Sequence, residues 1–429
     1  MRTRPSPRRI STATAGRGGG ARDIIGGDGS LEGASSANSN AMGIFSRRTG
    51  CDRTLNPVAR AVAEARAAGR ALNDLTAANP TDLDLPYPVE LLSPLAHPRG
   101  LRYRASPLGL PAAREAVAAL YRDRGIDVAA DQVALTASSS ESYGFLFKLL
   151  CDPGDRVLAP RPSYPLLDLL AQLDAVRLAP YQLGWDGRWY VDLPTARAAV
   201  DARARAVITV HPNNPTGSYL DRDELAALAA LGLPIISDEV FAPYPLSGRA
   251  DRARTALEAA ADALVFTLGG LSKRVGLPQL KLGWIVVAGP PALRDEALAR
   301  LELIGDSYLC APSPVQQALP ELLAAAAPVR EALLARAGDN LAALQSAAAR
   351  CPPLDVLKPD GGWYAIVRLP RVMSDIAWAE TLVAQDGVLT HPGAFFGLER
   401  GAHLVVSLVA PAERFVAGVD AIVGRASRS

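Results

Sequence analysis

The chain has 429 residues, 49% hydrophobic and 21% charged, with a net charge of +1. That length holds a large core and about two domains, and the balanced charge gives no footprint for a nucleic acid. Cys51, Cys151, Cys310 and Cys351 form no C-x-x-C pair, the four histidines show no metal-ligand spacing, and no apolar run reaches the roughly 18 residues of a membrane helix.

Residues 1–41 carry six Arg, many Gly and Ser and no aromatic residue. Such a stretch buries too little to offset its ordering entropy and is expected to be a disordered leader, with Met42 as the natural start. Asn56 to Leu72 reads as a helix with Pro57 in its first turn, and Leu75 to Thr81 as a loop. A second amphipathic helix is expected over about Pro111 to Arg124, after Tyr103-Arg104-Ala105-Ser106-Pro107.

Strands and helices then alternate, which predicts an α/β domain with a largely parallel sheet. Gln132 to Leu135 is a short strand that breaks into Thr136-Ala137-Ser138-Ser139-Ser140-Glu141, with a helix from there to Leu150. Small residues opening a helix after a strand suit an anion; an ordinary Ser cap with Glu in the first turn has the same letters. Arg156 to Ala159 is a strand ending at Pro160-Arg161-Pro162-Ser163-Tyr164, whose ring could stack on a flat ligand or simply pack. Ala206 to Val210 is a strand of buried type that ends in His211-Pro212-Asn213-Asn214-Pro215-Thr216-Gly217. Two prolines around two asparagines make a rigid loop, although these are turn residues in any case. Pro234 to Ser237 is a strand with Asp238-Glu239 at its end, where a carboxylate must be paired or serve as a ligand.

Ala263 to Phe266 leads into Gly269-Gly270-Leu271-Ser272-Lys273-Arg274-Val275-Gly276, and Trp284 to Val287 follows. Only four residues are lysine: Lys148, Lys273, Lys281 and Lys358. A chain that otherwise relies on Arg has two of its lysines in this segment, and only Lys can supply a nucleophilic amine. The serines, Tyr164, Asn214, Asp238 and Lys273 thus emerge at the ends of strands, the edge where open α/β sheets bind ligands. The chain is mostly helical from Pro291 to about Ala349. Strands over Leu354–Leu357 and Gly362–Val367, a helix near Ile376–Gln385 and a strand over Leu404–Leu408 then suggest a second, smaller domain.

Asn213-Asn214-Pro215-Thr216-Gly217, Asp238-Glu239 and Ser272-Lys273, in this order, resemble the class I/II aminotransferases, fold type I enzymes that use pyridoxal 5'-phosphate. The resemblance spans about Asn56 to Leu408. It implies a large domain with a mixed, mostly parallel sheet flanked by helices, plus a smaller α+β domain built from both chain ends. The expected divisions are 1–41 leader, 42–80 arm and part of the small domain, 81–305 large domain and 306–429 small domain. It further implies amino transfer from an amino acid or related amine to a 2-oxo acid, in a cytoplasmic homodimer. Lyase, cyclase or racemase chemistry on the same fold is the alternative, and a non-catalytic regulator a third reading.

By that resemblance Lys273 holds the cofactor covalently and moves the substrate's proton, while Asp238 pairs with the ring nitrogen. Asn214 bonds the phenolic oxygen and Tyr164 stacks on the ring. The Ser139 and Ser140 amides, the Ser272 hydroxyl and Lys281 hold the phosphate, and Tyr103 reaches the neighbour's phosphate site. The sequence departs from the family in three places. Lys281 and Phe241 stand where Arg and Tyr are usual, and Val405 stands where an Arg usually grips the substrate carboxylate. Another positive group, such as Arg161 or Arg368, is the expected replacement for that grip; the alternatives are a carboxylate bound elsewhere and a substrate with none near the reacting amine.

Overall fold

The computed structural model describes residues 44–52, 54–309 and 311–429. The leader 1–41 and Met42 lie outside the described residues. The strands in chain order are β1 (Asn73–Asp74), β2 (Val133–Thr136), β3 (Arg156–Arg161), β4 (Arg177–Trp185), β5 (Trp189–Val191), β6 (Ala204–Val210), β7 (Ile235–Asp238), β8 (Val265–Gly270), β9 (Gly283–Ala288), β10 (Asp355–Leu357), β11 (Tyr364–Leu369), β12 (Val388–Leu389), β13 (His391–Pro392) and β14 (Ala402–Ser407).

Eight of them form one sheet in the order β2-β9-β8-β7-β6-β3-β4-β5. Strands β8, β7, β6, β3 and β4 are parallel; β9 is antiparallel to both β2 and β8, so β2 runs with the parallel set. The central strands are buried along their length, as the near-continuous apolar runs Val207-Ile208 and Ile235-Ile236 require when helices cover both faces. One face packs Val117, Tyr121, Val207, Ile235, Val265 and Trp284 with other residues into one core. The other packs Phe145, Phe147, Ile208, Ile236 and Phe266 with their neighbours into a second core.

A four-stranded antiparallel sheet, β10-β11-β14-β13, builds the smaller unit around Trp363, Trp378 and Phe415. The front of the chain joins it: β1 pairs with β12, and Val58, Leu75, Leu83 and Leu85 enter the same core. The helix Ser313–Ala325 packs instead with the large sheet, through Val315, Ala318, Leu319 and Leu322, and the helix Ala327–Ala349 returns to the smaller unit through Val329, Leu333 and Leu341.

Several boundaries differ from the sequence reading. The first helix is Pro57–Ala67, capped by the Asn56 side chain and ending short of Leu72. The second stops at Arg122. The strand expected over Gly362–Val367 is Tyr364–Leu369, because Gly361 and Gly362 complete the turn before it. The helix expected near Ile376–Gln385 is α-helical only over Asp375–Thr381 and widens to a π turn over Leu382–Asp386.

The two units meet beside the Asn213–Gly217 loop. The Asp360 N–H donates to the Gly217 carbonyl at 3.1 Å, and the Leu246 and Ser247 N–H groups donate to the Asp360 carbonyl. Arg249 reaches the Asp360 carboxylate at 3.1 Å. Gly217 has φ +68, and a Cβ there would lie 2.4 Å from Pro359 Cβ and 2.5 Å from the Gly361 carbonyl oxygen. Gly217→Ala is therefore expected to lower stability by about 2–4 kcal/mol through strain and overpacking. Urea denaturation of the cofactor-free protein checks this, and an unchanged midpoint would mean the loop and turn do not pack this way.

Candidate active site

The carboxyl ends of β2, β3, β6, β7 and β8 lie along one edge of the large sheet, since these strands run the same way. Ser139, Ser140, Tyr164, Asn214, Asp238, Ser272 and Lys273 each end or follow one of them. β2 hands over to the helix Ser139–Leu150, whose N-cap Ser138 accepts the Glu141 N–H at 3.2 Å. Glu141 turns back to accept the Ala137 N–H at 2.6 Å. The ordinary cap is thus present, and it leaves the Ser139 and Ser140 amides in the first turn, where no helix carbonyl can accept them.

Lys281 lies in the turn before β9, exposed and at φ +51. Two residues later a Cβ on Gly283 would stand 2.9 Å from the Ser138 carbonyl carbon and 3.0 Å from the Ser139 nitrogen, so only glycine lets the two segments touch. That contact brings the Lys281 turn up to the serines. Tyr164 follows β3 and is 37% exposed. Asn213 closes its own loop by accepting from the Thr216 N–H and hydroxyl. Asn214 is buried, and its amide oxygen has no partner within the protein.

Asp238 ends β7 with its carboxylate buried. The Val240 N–H donates to Oδ1 at 3.1 Å and the Tyr143 hydroxyl to Oδ2 at 3.2 Å. Burial pushes its pKa up to about 6, although those two donors and the charge of Lys273 oppose the shift. Lys273 lies on a single helical turn, Leu271–Arg274, that follows β8 directly. Its Nζ is 4.7 Å from the centre of the Trp363 ring and 5.4 Å from that of Phe241, within cation–π range. The Tyr244 hydroxyl donates to the Lys273 carbonyl.

Sequence reasoning missed Tyr143, Tyr244 and Trp363. Tyr143 carried a readable signal, since it lies four positions after Ser139 and so on the same helix face. The two aromatic residues carried none, because Trp363 belongs to the smaller unit. Tyr103 is 68% exposed.

The expected replacements for a carboxylate grip are engaged elsewhere. Arg368 pairs with Asp355 and both are about half exposed. Arg161 pairs with Asp168 and runs along the Phe396-Gly397 turn. Val405 is fully buried among Trp189, Leu357, Ile366 and Phe396. His211 is structural: Nε2 bonds the Ala253 carbonyl and Nδ1 accepts the Leu220 N–H, and burial lowers its pKa to about 4. Among the described residues no cluster of His, Cys, Asp and Glu could hold a metal ion, and no helix is long and apolar enough to cross a membrane.

The family described as aminotransferase class I and II matches residues 93–413. The chain is 26% identical over 368 residues to a glutamate-pyruvate aminotransferase of Haemophilus influenzae, covering 82% of this chain and 90% of that protein. It is 25% identical over 315 residues to the tyrosine aminotransferase of Homo sapiens, covering 71% and 69%. Among solved structures, an alanine aminotransferase from Pyrococcus furiosus shares the fold with a TM-score of 0.80 at 24% identity, covering 87% of this chain and 96% of that one.

The raised Asp238 carboxyl gives a pH-dependent prediction. Between about pH 4 and 6 the folded protein keeps a proton that the unfolded chain has released, so this group lowers stability as pH rises through that window. Asp238→Asn removes the titration. The cofactor-free variant is expected to exceed the wild type at pH 8 by on the order of 2 kcal/mol, with the gap narrowing toward pH 5. Urea midpoints at the two pH values check this; parallel behaviour would mean the carboxyl is not held in a desolvated site.

Proposed function

The chain belongs to the class I and II aminotransferases, and from that premise we propose that it carries pyridoxal 5'-phosphate on Lys273. It is an enzyme that transfers an amino group between an amino acid and a 2-oxo acid. The observation that carries the cofactor reading is the placement of Lys273 and a buried carboxylate, Asp238, at the ends of adjacent strands, on the edge where the Ser139–Leu150 helix also begins. The residues fit the group. Asp238 is a desolvated acid whose charge a protonated ring nitrogen would stabilise, and the buried Asn214 amide carries N–H donors suited to the ring's oxygen substituent.

In this reading the Ser139 and Ser140 amides, the Ser272 hydroxyl and the Lys281 ammonium hold the phosphate. The positive end of the helix dipole adds to them. Lys281 binds as a point charge, without the fork geometry of an arginine. Tyr164 covers one ring face and Asn214 bonds the phenolic oxygen. Bound there, pyridoxal phosphate supplies an electron sink for the substrate's α-carbon. Asp238 would pair with the ring nitrogen and hold it protonated. The Lys273 amine, when free, would be the base that takes the proton from the substrate's α-carbon and delivers it to the cofactor's carbon. The rings of Phe241 and Trp363 keep water from the amine on one side and stabilise its charged form.

We further assign a homodimer, supported by the exposed Leu101 and Tyr103 on one surface stretch, with Tyr103 completing the neighbour's phosphate site. The free thiols of Cys51, Cys151 and Cys351 suit a reducing cytoplasm. The test is direct. Borohydride treatment of the purified protein should abolish a visible absorption band and leave the cofactor on a peptide containing Lys273. Lys273→Ala should bind no cofactor covalently while keeping the wild-type circular dichroism. A label on Lys148, Lys281 or Lys358 would refute the assignment.

Incubation with a panel of amino acids and 2-oxo acids should yield new 2-oxo acids. Given the paired arginines and the apolar surroundings of Val405, the panel should include decarboxylated amines. Equal rates for an amino acid and its amine would show that the α-carboxylate is not gripped.

A further inference from the structure

We infer that Tyr143 is a positioning residue for the reaction, holding the Asp238 carboxylate in the orientation and charge state that its partner requires. The inference rests on the reading of Asp238 as the partner of the cofactor's ring nitrogen.

Tyr143 belongs to the helix Ser139–Leu150. The inward face of that helix carries Tyr143, Phe145, Leu146 and Phe147, all buried. Two of these are phenylalanine, so the packing there is met by a ring without a hydroxyl. Tyr143 alone adds an oxygen, and burying a hydroxyl costs free energy unless it is bonded. Its bond goes to Asp238 Oδ2, 95 residues away in sequence. Burial and the adjacent carboxylate both raise the pKa of the phenol, so it remains a proton donor at any working pH.

The carboxylate is therefore held at both oxygens from the protein side, Oδ1 by the Val240 N–H and Oδ2 by the Tyr143 hydroxyl. Two donors on different oxygens fix the plane of the group as well as its position. Both favour the charged form, as does Lys273, and all three act against burial. Val240 is two residues from Asp238, so its hydrogen bond follows from the local turn. Tyr143 is the distant anchor. It also ties the ends of the site together: the helix that begins at the Ser139 and Ser140 amides places Tyr143 one turn on, about 6 Å along its axis. One rigid element thus sets the phosphate end and the Asp238 end relative to each other.

The experiment compares wild type, Tyr143→Phe and Asp238→Asn as holoenzymes. Tyr143→Phe keeps the ring that packs against Phe147 at 6.0 Å between centroids, so its melting temperature at pH 8 is expected within a few degrees of wild type. Three readouts follow: the cofactor dissociation constant against pH, the visible absorption band against pH, and kcat and KM for a reactive amino donor. In wild type, affinity should weaken as pH falls and Asp238 takes up its proton. In Tyr143→Phe one donor to the charged form is gone, and that acid limb should move up by about one pH unit, equivalent to roughly tenfold weaker binding near pH 6. The same variant should lose about tenfold in kcat with little change in KM, because ordinary donor binding is untouched.

An acid limb that stays in place in Tyr143→Phe, while Asp238→Asn loses cofactor affinity or alters the band, overturns the inference and leaves the Asp238 reading standing. Equal affinity and spectra in Asp238→Asn and wild type overturn the Asp238 reading and this inference with it.

Discussion

A carboxylate at the end of a central strand, shut off from water, sets the terms for everything around it. Asp238 emerges from β7 with sheet on both sides and the Tyr143 hydroxyl against it. Left alone it would take up a proton, and burial already moves it most of the way to neutral pH. Three features resist: a backbone amide, a phenol and a lysine ammonium. Each comes from a different element, so the helix Ser139–Leu150, the turn after β7 and the turn after β8 must be held together before the carboxylate can stay charged. Much of the large sheet's packing serves that end. β8 lies directly beside β7, which puts Lys273 at the neighbouring strand's end.

Glu239 shows the contrast within one dipeptide. It points to the other side and is fully committed on one oxygen, accepting from the Thr255 hydroxyl, the Ala256 N–H and the Ser237 hydroxyl. Burial raises it too, to about 6, and its donors belong to the scaffold, with the charge of Arg124 also opposing the shift. Two adjacent acids of similar burial thus differ in what faces them. The alternation of side chains along an extended segment separates a reactive environment from a structural one.

The sequence made the strand ends legible because each is punctuated. Apolar runs stop at Ser138, Pro160, His211, Asp238 and Gly269, and the structure puts all five ends on one edge. Less visible was β4. Pro180 interrupts it, yet is tolerated because β5 pairs only from Leu183 onward, so at Pro180 the strand is bonded on one side alone. The aromatic floor under Lys273 was invisible for a different reason. Trp363 lies 90 residues along the chain, and the contact depends on the turn Pro359-Asp360-Gly361 docking on Gly217. No local pattern encodes a contact between two units. What the sequence did offer was a set of residues that only one spatial arrangement makes useful together.

The place of Val405 shows how far a departure can propagate. β14 alternates: Leu404 and Val406 face the core of the smaller unit, whereas Val405 faces Ile366, Trp189 and Phe396. Ile366 is its direct partner across the β11–β14 pair, and Trp189 comes from the large sheet. An apolar cluster therefore joins the two units at the position where a charged side chain was expected. Introducing a guanidinium there would require it to be paired or solvated, and the cluster provides neither. Arg161, at the rim of the same region, already has Asp168 for a partner and packs along Gly397. The consequence is that the wall between the two units at Val405 is apolar.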